Sequence, residues 1–197
     1  MAMTKHIALF ATCLLLATCS RRLYPIRIPQ QEYTGTELRI DGYYKSELIP
    51  ESTGSSVGLT VFYEDGTCIH NISSEKLTES SIEEGLLRNA EFINKLTTIP
   101  GGIGLYQISE DSLTFEIWSA GSVAISTLTA YCTILNDTTF VLSYMMNNRL
   151  NSPTSLSDVT FHFVPYSPKP DNTTIFLPQE PENLRRRRVS RVRRENR

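Results

Sequence analysis

The residues of this 197-residue chain best suited to nucleophilic, redox or metal chemistry are its four cysteines and three histidines, and their spacing limits what they can do. Past residue 19 only Cys68, Cys132, His70 and His162 remain. No H-E-x-x-H, C-x-x-C, G-x-S-x-G or P-loop spacing occurs, so no local metal cage, activated nucleophile or phosphate cradle is encoded. His70 reads as an ordinary strand residue near a turn, and His162 lies between Phe161 and Phe163, whose parity is core-facing. The expectation is a non-enzymatic chain with no catalytic residue, no metal and no cofactor. Cys68 and Cys132 leave two alternatives open. A disulfide in an oxidising compartment would close a loop of about 65 residues and add roughly 3–5 kcal/mol; otherwise the two are buried thiols.

Residues 1–18 read as an export signal, with Lys5 ahead of an apolar run from Ile7 to Leu16. That run is too short to cross ~30 Å of hydrocarbon at about 1.5 Å per residue. Leu16-Ala17-Thr18-Cys19 resembles the lipobox of bacterial lipoproteins, although Thr18 stands where Gly, Ala or Ser is usual. The resemblance implies cleavage before Cys19 and acylation of its sulfur, each buried methylene contributing about 0.8 kcal/mol to membrane attachment. Ser20 followed by Arg21 and Arg22, without an acidic run, leads to an expected outer-membrane lipoprotein facing the periplasm.

The elements that must position these residues are strands. Residues 19–35, with Pro25 and Pro29, read as a tether, and from Thr36 to Tyr166 apolar residues alternate at the strand period. Expected strands cover 38–44, 57–63, 67–72, 103–109, 113–119, 123–135, 139–146 and 159–164. Val57, Leu59, Val61 and Tyr63 share one face, as do Phe140, Leu142, Tyr144 and Met146. Hairpin turns are expected at Asp65-Gly66, Glu110-Asp111 and Asn136-Asp137. One helix is expected after the third strand, on the stripe Ile82, Leu86, Ala90 and Ile93, with a capping box starting at Ser80 or Ser81. Eight successive antiparallel strands predict an all-β meander closed into a barrel, with a two-sheet β-sandwich as the alternative.

The segments L-R-I-D-G-Y-Y (38–44), F-Y-E-D-G-T (62–67), G-L-Y-Q-I-S (104–109), I-L-N-D-T-T-F (134–140) and K-P-D-N (169–172) resemble those of uncharacterised Bacteroidetes lipoproteins with a lipocalin-like domain. The resemblance covers residues 36–177, implies an eight-stranded barrel and brings no catalytic residue. Asp137-Thr138-Thr139 and Asp111-Ser112-Leu113 also resemble the three-residue O-glycosylation signal of that group, making Thr138 and Ser112 acceptor candidates, although turn chemistry alone accounts for them.

Charge is segregated. Residues 19–184 carry ten basic and twenty acidic side chains, whereas 185–197 carry eight Arg against Glu195. Residues 178–197 therefore read as a disordered Arg-rich tail. Behind an export signal, Arg185 to Arg197 are expected to meet an anionic envelope surface or the acidic body, with no nucleic acid as partner. The expected function is a membrane-anchored binding or envelope-interaction module for an apolar ligand or glycan. The alternative is a structural or assembly lipoprotein with a filled barrel, and a hydrolase is the least supported.

Overall fold

The computed structural model describes residues 25–46, 49–51, 54–73, 82–91, 93, 102–120, 125–153 and 158–172. The chain forms strands β1 (Gly42–Ser46), β2 (Ile49–Glu51), β3 (Gly54–Phe62), β4 (Thr67–Ser73), β5 (Ile103–Ser109), β6 (Ser112–Ala120), β7 (Ile125–Asn136), β8 (Thr139–Asn147), β9 (Ser152–Pro153) and β10 (Val159–Pro165). Eight of them follow one another around an antiparallel ring. β1 closes it by pairing with β10, from Gly42↔Pro165 to Ser46↔Phe161, and with β3 at Tyr44↔Thr60 and Lys45↔Leu59. This double pairing gives the expected barrel rather than the sandwich, and it satisfies edges that an open sheet would leave bare. β2 and β9 are short additions to β3 and β8.

Six of the buried residues in the interior cluster are aromatic. Tyr44, Phe62, Tyr106, Phe115, Phe140 and Phe161 are each buried to within about 1% of their surface. Phe140 and Phe161 stack with ring centroids 4.8 Å apart, while Phe62 and Tyr106 meet at 4.7 Å. Rings of this size remove roughly 150–250 Å² each from water, so a few of them fill a small barrel.

The two expected stripes fare differently: that of β3 holds, and that of β8 is corrected. On β3 the stripe Leu59, Val61 and Tyr63 faces outward, because Thr60 pairs with the inward Tyr44. Those outward residues are buried nonetheless, under Ile82, Leu87 and Ile93 of the connection after β4. On β8 the register shifts between Tyr131 and Cys132, and Ser143 is the extra residue. The bulge turns Tyr144 out to stack on Tyr131 and puts Met145, not Met146, in the core. Among the described residues the expected helix opens with a π-helical turn, Glu83–Leu87, closed by Arg88 N–H to the Glu83 carbonyl, and is helical again at Ala90, Glu91 and Ile93, where Ile93 N–H donates to the Asn89 carbonyl. The wider winding of the π turn places Ile82 and Leu87, five apart, on the barrel and leaves Ala90 exposed. Ser80 and Ser81 lie outside the described residues.

Both chain-flanking segments wrap the same end of the barrel, here called the rim, where the β3–β4, β5–β6 and β7–β8 turns lie. The first described residues, expected as a tether, form a strap instead. Tyr33 N–H donates to the Glu64 carbonyl at 2.7 Å, Arg39 N–H to that of Asp137 at 2.8 Å, and Leu38 caps the aromatic core. At Gly66, φ is +82° and an added Cβ would strike the Gln31 carbonyl of this strap, so the turn glycine serves both φ and close passage.

Candidate functional site

The interior holds the sequence-predicted His70, Cys68 and Cys132. β4 turns Cys68 and His70 to the same side, and β7 supplies Cys132 from a strand separated from β4 by β5 and β6. Three strand spacings of about 4.8 Å each put the two thiols on distant parts of the wall, beyond the reach of a disulfide. Both are free and buried, the second of the two alternatives, and burial pushes each thiol's pKa well above its usual range. A thiol that stays protonated is a poor nucleophile and a poor metal ligand.

His70 is fully buried. Its Nδ1 lies 2.8 Å from the Thr60 hydroxyl, Nε2 has no partner among the described residues, and the Phe115 and Phe161 rings flank it. Loss of water around the ring lowers its pKa to about 4. His162, by contrast, faces outward and is exposed, as its place between the core-facing Phe161 and Phe163 implies. The structure therefore does not bring the two histidines together, nor does it gather three His, Cys, Asp or Glu side chains into a metal site among the described residues.

Two charged side chains that the sequence did not single out organise the exterior. Glu116 sits on the outward face of β6, yet is only 1% exposed. Its Oε2 accepts from the backbone N–H groups of Arg27 and Ile28, at 2.7 and 3.3 Å, and its Oε1 accepts from Asn148 Nδ2 at 2.9 Å. Asn148 also reaches Thr127 and Thr129 at 2.8 Å. One carboxylate thus fastens both the strap and the chain after β8 to the barrel wall.

Lys169 does the converse at the rim. Its half-buried ammonium donates to the carbonyls of Ile40 and Phe62, at 2.6 and 3.0 Å, and lies 4.8 Å from the centre of the Tyr63 ring. Burial lowers its pKa, while Glu64, Asp41 and Asp65 act to raise it. Around it opens a groove of about 450 Å³ between Ile40, Asp41, Glu64, Tyr166 and Ser167. Beside the groove Arg39 forms a two-pronged pair with Asp41, at 2.6 and 3.0 Å, and lies over the Phe163 ring at 4.4 Å. Tyr63 is 95% buried, and its hydroxyl has no partner among the described residues.

Thr138 and Ser112 both sit at rim turns. The Thr138 hydroxyl and N–H donate to Asn136 Oδ1 at 2.8 and 3.0 Å, an Asx-type closure, and exposed Ser112 opens β6 opposite Ser109. Cys19, the export signal and Arg185 to Arg197 lie outside the described residues. Among the described residues no helix is long and apolar enough to cross a membrane. No family model, no curated protein and no solved structure matches the chain.

Proposed function

We propose that the chain is a non-enzymatic envelope lipoprotein, held to the outer membrane through Cys19 on the periplasmic side, whose barrel is a filled scaffold that works through its exterior. The observation that carries this reading is the interior itself: six aromatic side chains and His70 interlock where a small-molecule carrier would keep space. Of the two non-enzymatic expectations, this favours the structural or assembly role over an enclosed ligand. Support for anchoring comes from Leu16-Ala17-Thr18-Cys19 and the apolar run ahead of it. An open groove lies beside Lys169 at the rim, so contact with other envelope components is assigned to the rim.

Two mass measurements test the proposal. The mature protein is expected to begin at a diacylated Cys19, and an unmodified N-terminus removes the anchor. Native mass spectrometry is expected to find the barrel free of small molecules, and a stoichiometric co-purified lipid or glycan overturns the filled-scaffold reading in favour of a binding module.

A further inference from the structure

The acidic excess of the body is not spread evenly. Each of the three rim turns carries exposed carboxylates: Glu64 and Asp65, Glu110 and Asp111, and Asp137. The flanking segments add Glu32, Glu37, Asp41 and Asp171, all exposed, against Arg27, Arg39 and Lys169. Most of the net negative charge of the described residues therefore sits on one end of one barrel. The last described residue, Asn172, is at that same end, its Nδ2 bonded to the Thr67 hydroxyl at 3.2 Å.

Residues 173–184 separate this point from the eight arginines of 185–197. A dozen extended residues reach about 40 Å, at roughly 3.3–3.6 Å each, enough to bring the arginines over any part of a small barrel's rim. The rim also displays how it takes a cation. Arg39 is bound by a carboxylate and an aromatic face, and Lys169 by two carbonyls and an aromatic face, while the buried Tyr63 hydroxyl lacks a partner among the described residues.

We propose that the Arg-rich segment 185–197 docks on the rim of its own barrel, its guanidinium groups pairing with the turn carboxylates and entering the groove between Asp41 and Glu64. A tethered segment works at an effective concentration of the order of mM, so weak, screened pairs suffice to hold it. The contact does not depend on membrane anchoring. It makes the rim self-covered, and a polyanion that captures the arginines uncovers it.

The test compares amide spectra of the full chain, in a non-ionic detergent, with those of a variant whose eight arginines in 185–197 are replaced by glutamine. The expected shift differences cluster at residues 64–66, 110–111 and 137–138. They shrink severalfold between about 0.02 and 0.5 M salt, as the Debye length falls from roughly 20 to 4 Å, and do not change with protein concentration. In the full chain, Glu64→Gln with Asp65→Asn is expected to lower these tail-dependent differences at the remaining turns by half or more without moving the melting temperature. The proposal fails if low-salt differences are absent, if they fall equally on Arg149 and Asp158 at the opposite end, or if the Glu64–Asp65 variant leaves them unchanged. It also fails if they grow with concentration, which would assign the contact to a second copy.

Discussion

Glu116 and Lys169 each hold a chain-flanking segment to the barrel, and both do so through backbone groups rather than through an opposite charge. They differ in what surrounds them. Glu116 is sealed, with three N–H donors and no water contact to speak of, so its charge is saturated and serves only to lock the strap. Lys169 is half-open, with two carbonyls beneath it and exposed carboxylates around it. A charge met entirely by fixed dipoles makes a structural clamp, whereas one that still faces solvent belongs to an interacting surface.

Removing the sealed charge should have the largest effect. Glu116→Ala removes the acceptor of the Arg27 and Ile28 N–H groups, while Asn148 keeps Thr127 and Thr129, so urea unfolding should show a loss of about 3 kcal/mol, the scale of a lost hydrogen bond to a charged group. Fast hydrogen exchange at Arg27 should accompany it, and retained protection there would break the contrast.

His70 sharpens the comparison as a buried group with too few partners to hold a charge at all. Its folded pKa of about 4 lies below the usual 6.5 of the unfolded chain. Between those values the unfolded state binds the extra proton, so stability is complete above pH 6.5 and falls as pH drops toward 4, by about 3 kcal/mol in all. His70→Gln should flatten that limb of the stability profile, and a profile unchanged by the substitution would show that the acid loss lies elsewhere.

Lys169→Met should cost only about 1 kcal/mol, because the open side of the groove lets water replace part of what is lost. Burial depresses the ammonium's pKa, so the folded state loses its proton before the unfolded one and stability rises with pH through the lysine range. The methionine variant should lack that rise in alkaline unfolding curves. The smallest effect is expected from Arg39→Gln: the Arg39–Asp41 pair is exposed, and its loss should leave the urea midpoint unmoved.

Most of the strands were legible because alternation and turn chemistry are carried by the residues that form them. Leu113, Phe115 and Ile117 point inward as their pattern implies, and Glu110-Asp111 makes its turn. What the pattern of β3 leaves open has a physical reason: alternation marks a buried face but does not say which side of the sheet is covered, and Leu59, Val61 and Tyr63 are buried from outside. Glu116 and Lys169 were illegible for a different reason. Apart from Asn148, their hydrogen-bond partners are main-chain groups, a C=O that every residue offers and an N–H that every residue but proline offers, so the residue types at Arg27, Ile28, Ile40 and Phe62 carry no trace of the contact.

The strap also has a mechanical meaning. A pull on the chain ahead of Pro25 meets the Glu116 hydrogen bonds first, then the Gln30 side chain on the Asp65 carbonyl, then Tyr33 on Glu64, and only afterwards Leu38 in the core. These attachments are loaded one at a time rather than together. Tension therefore peels the strap in steps, lengthening the leash while the closed ring of strands behind it bears no load until Leu38 gives way.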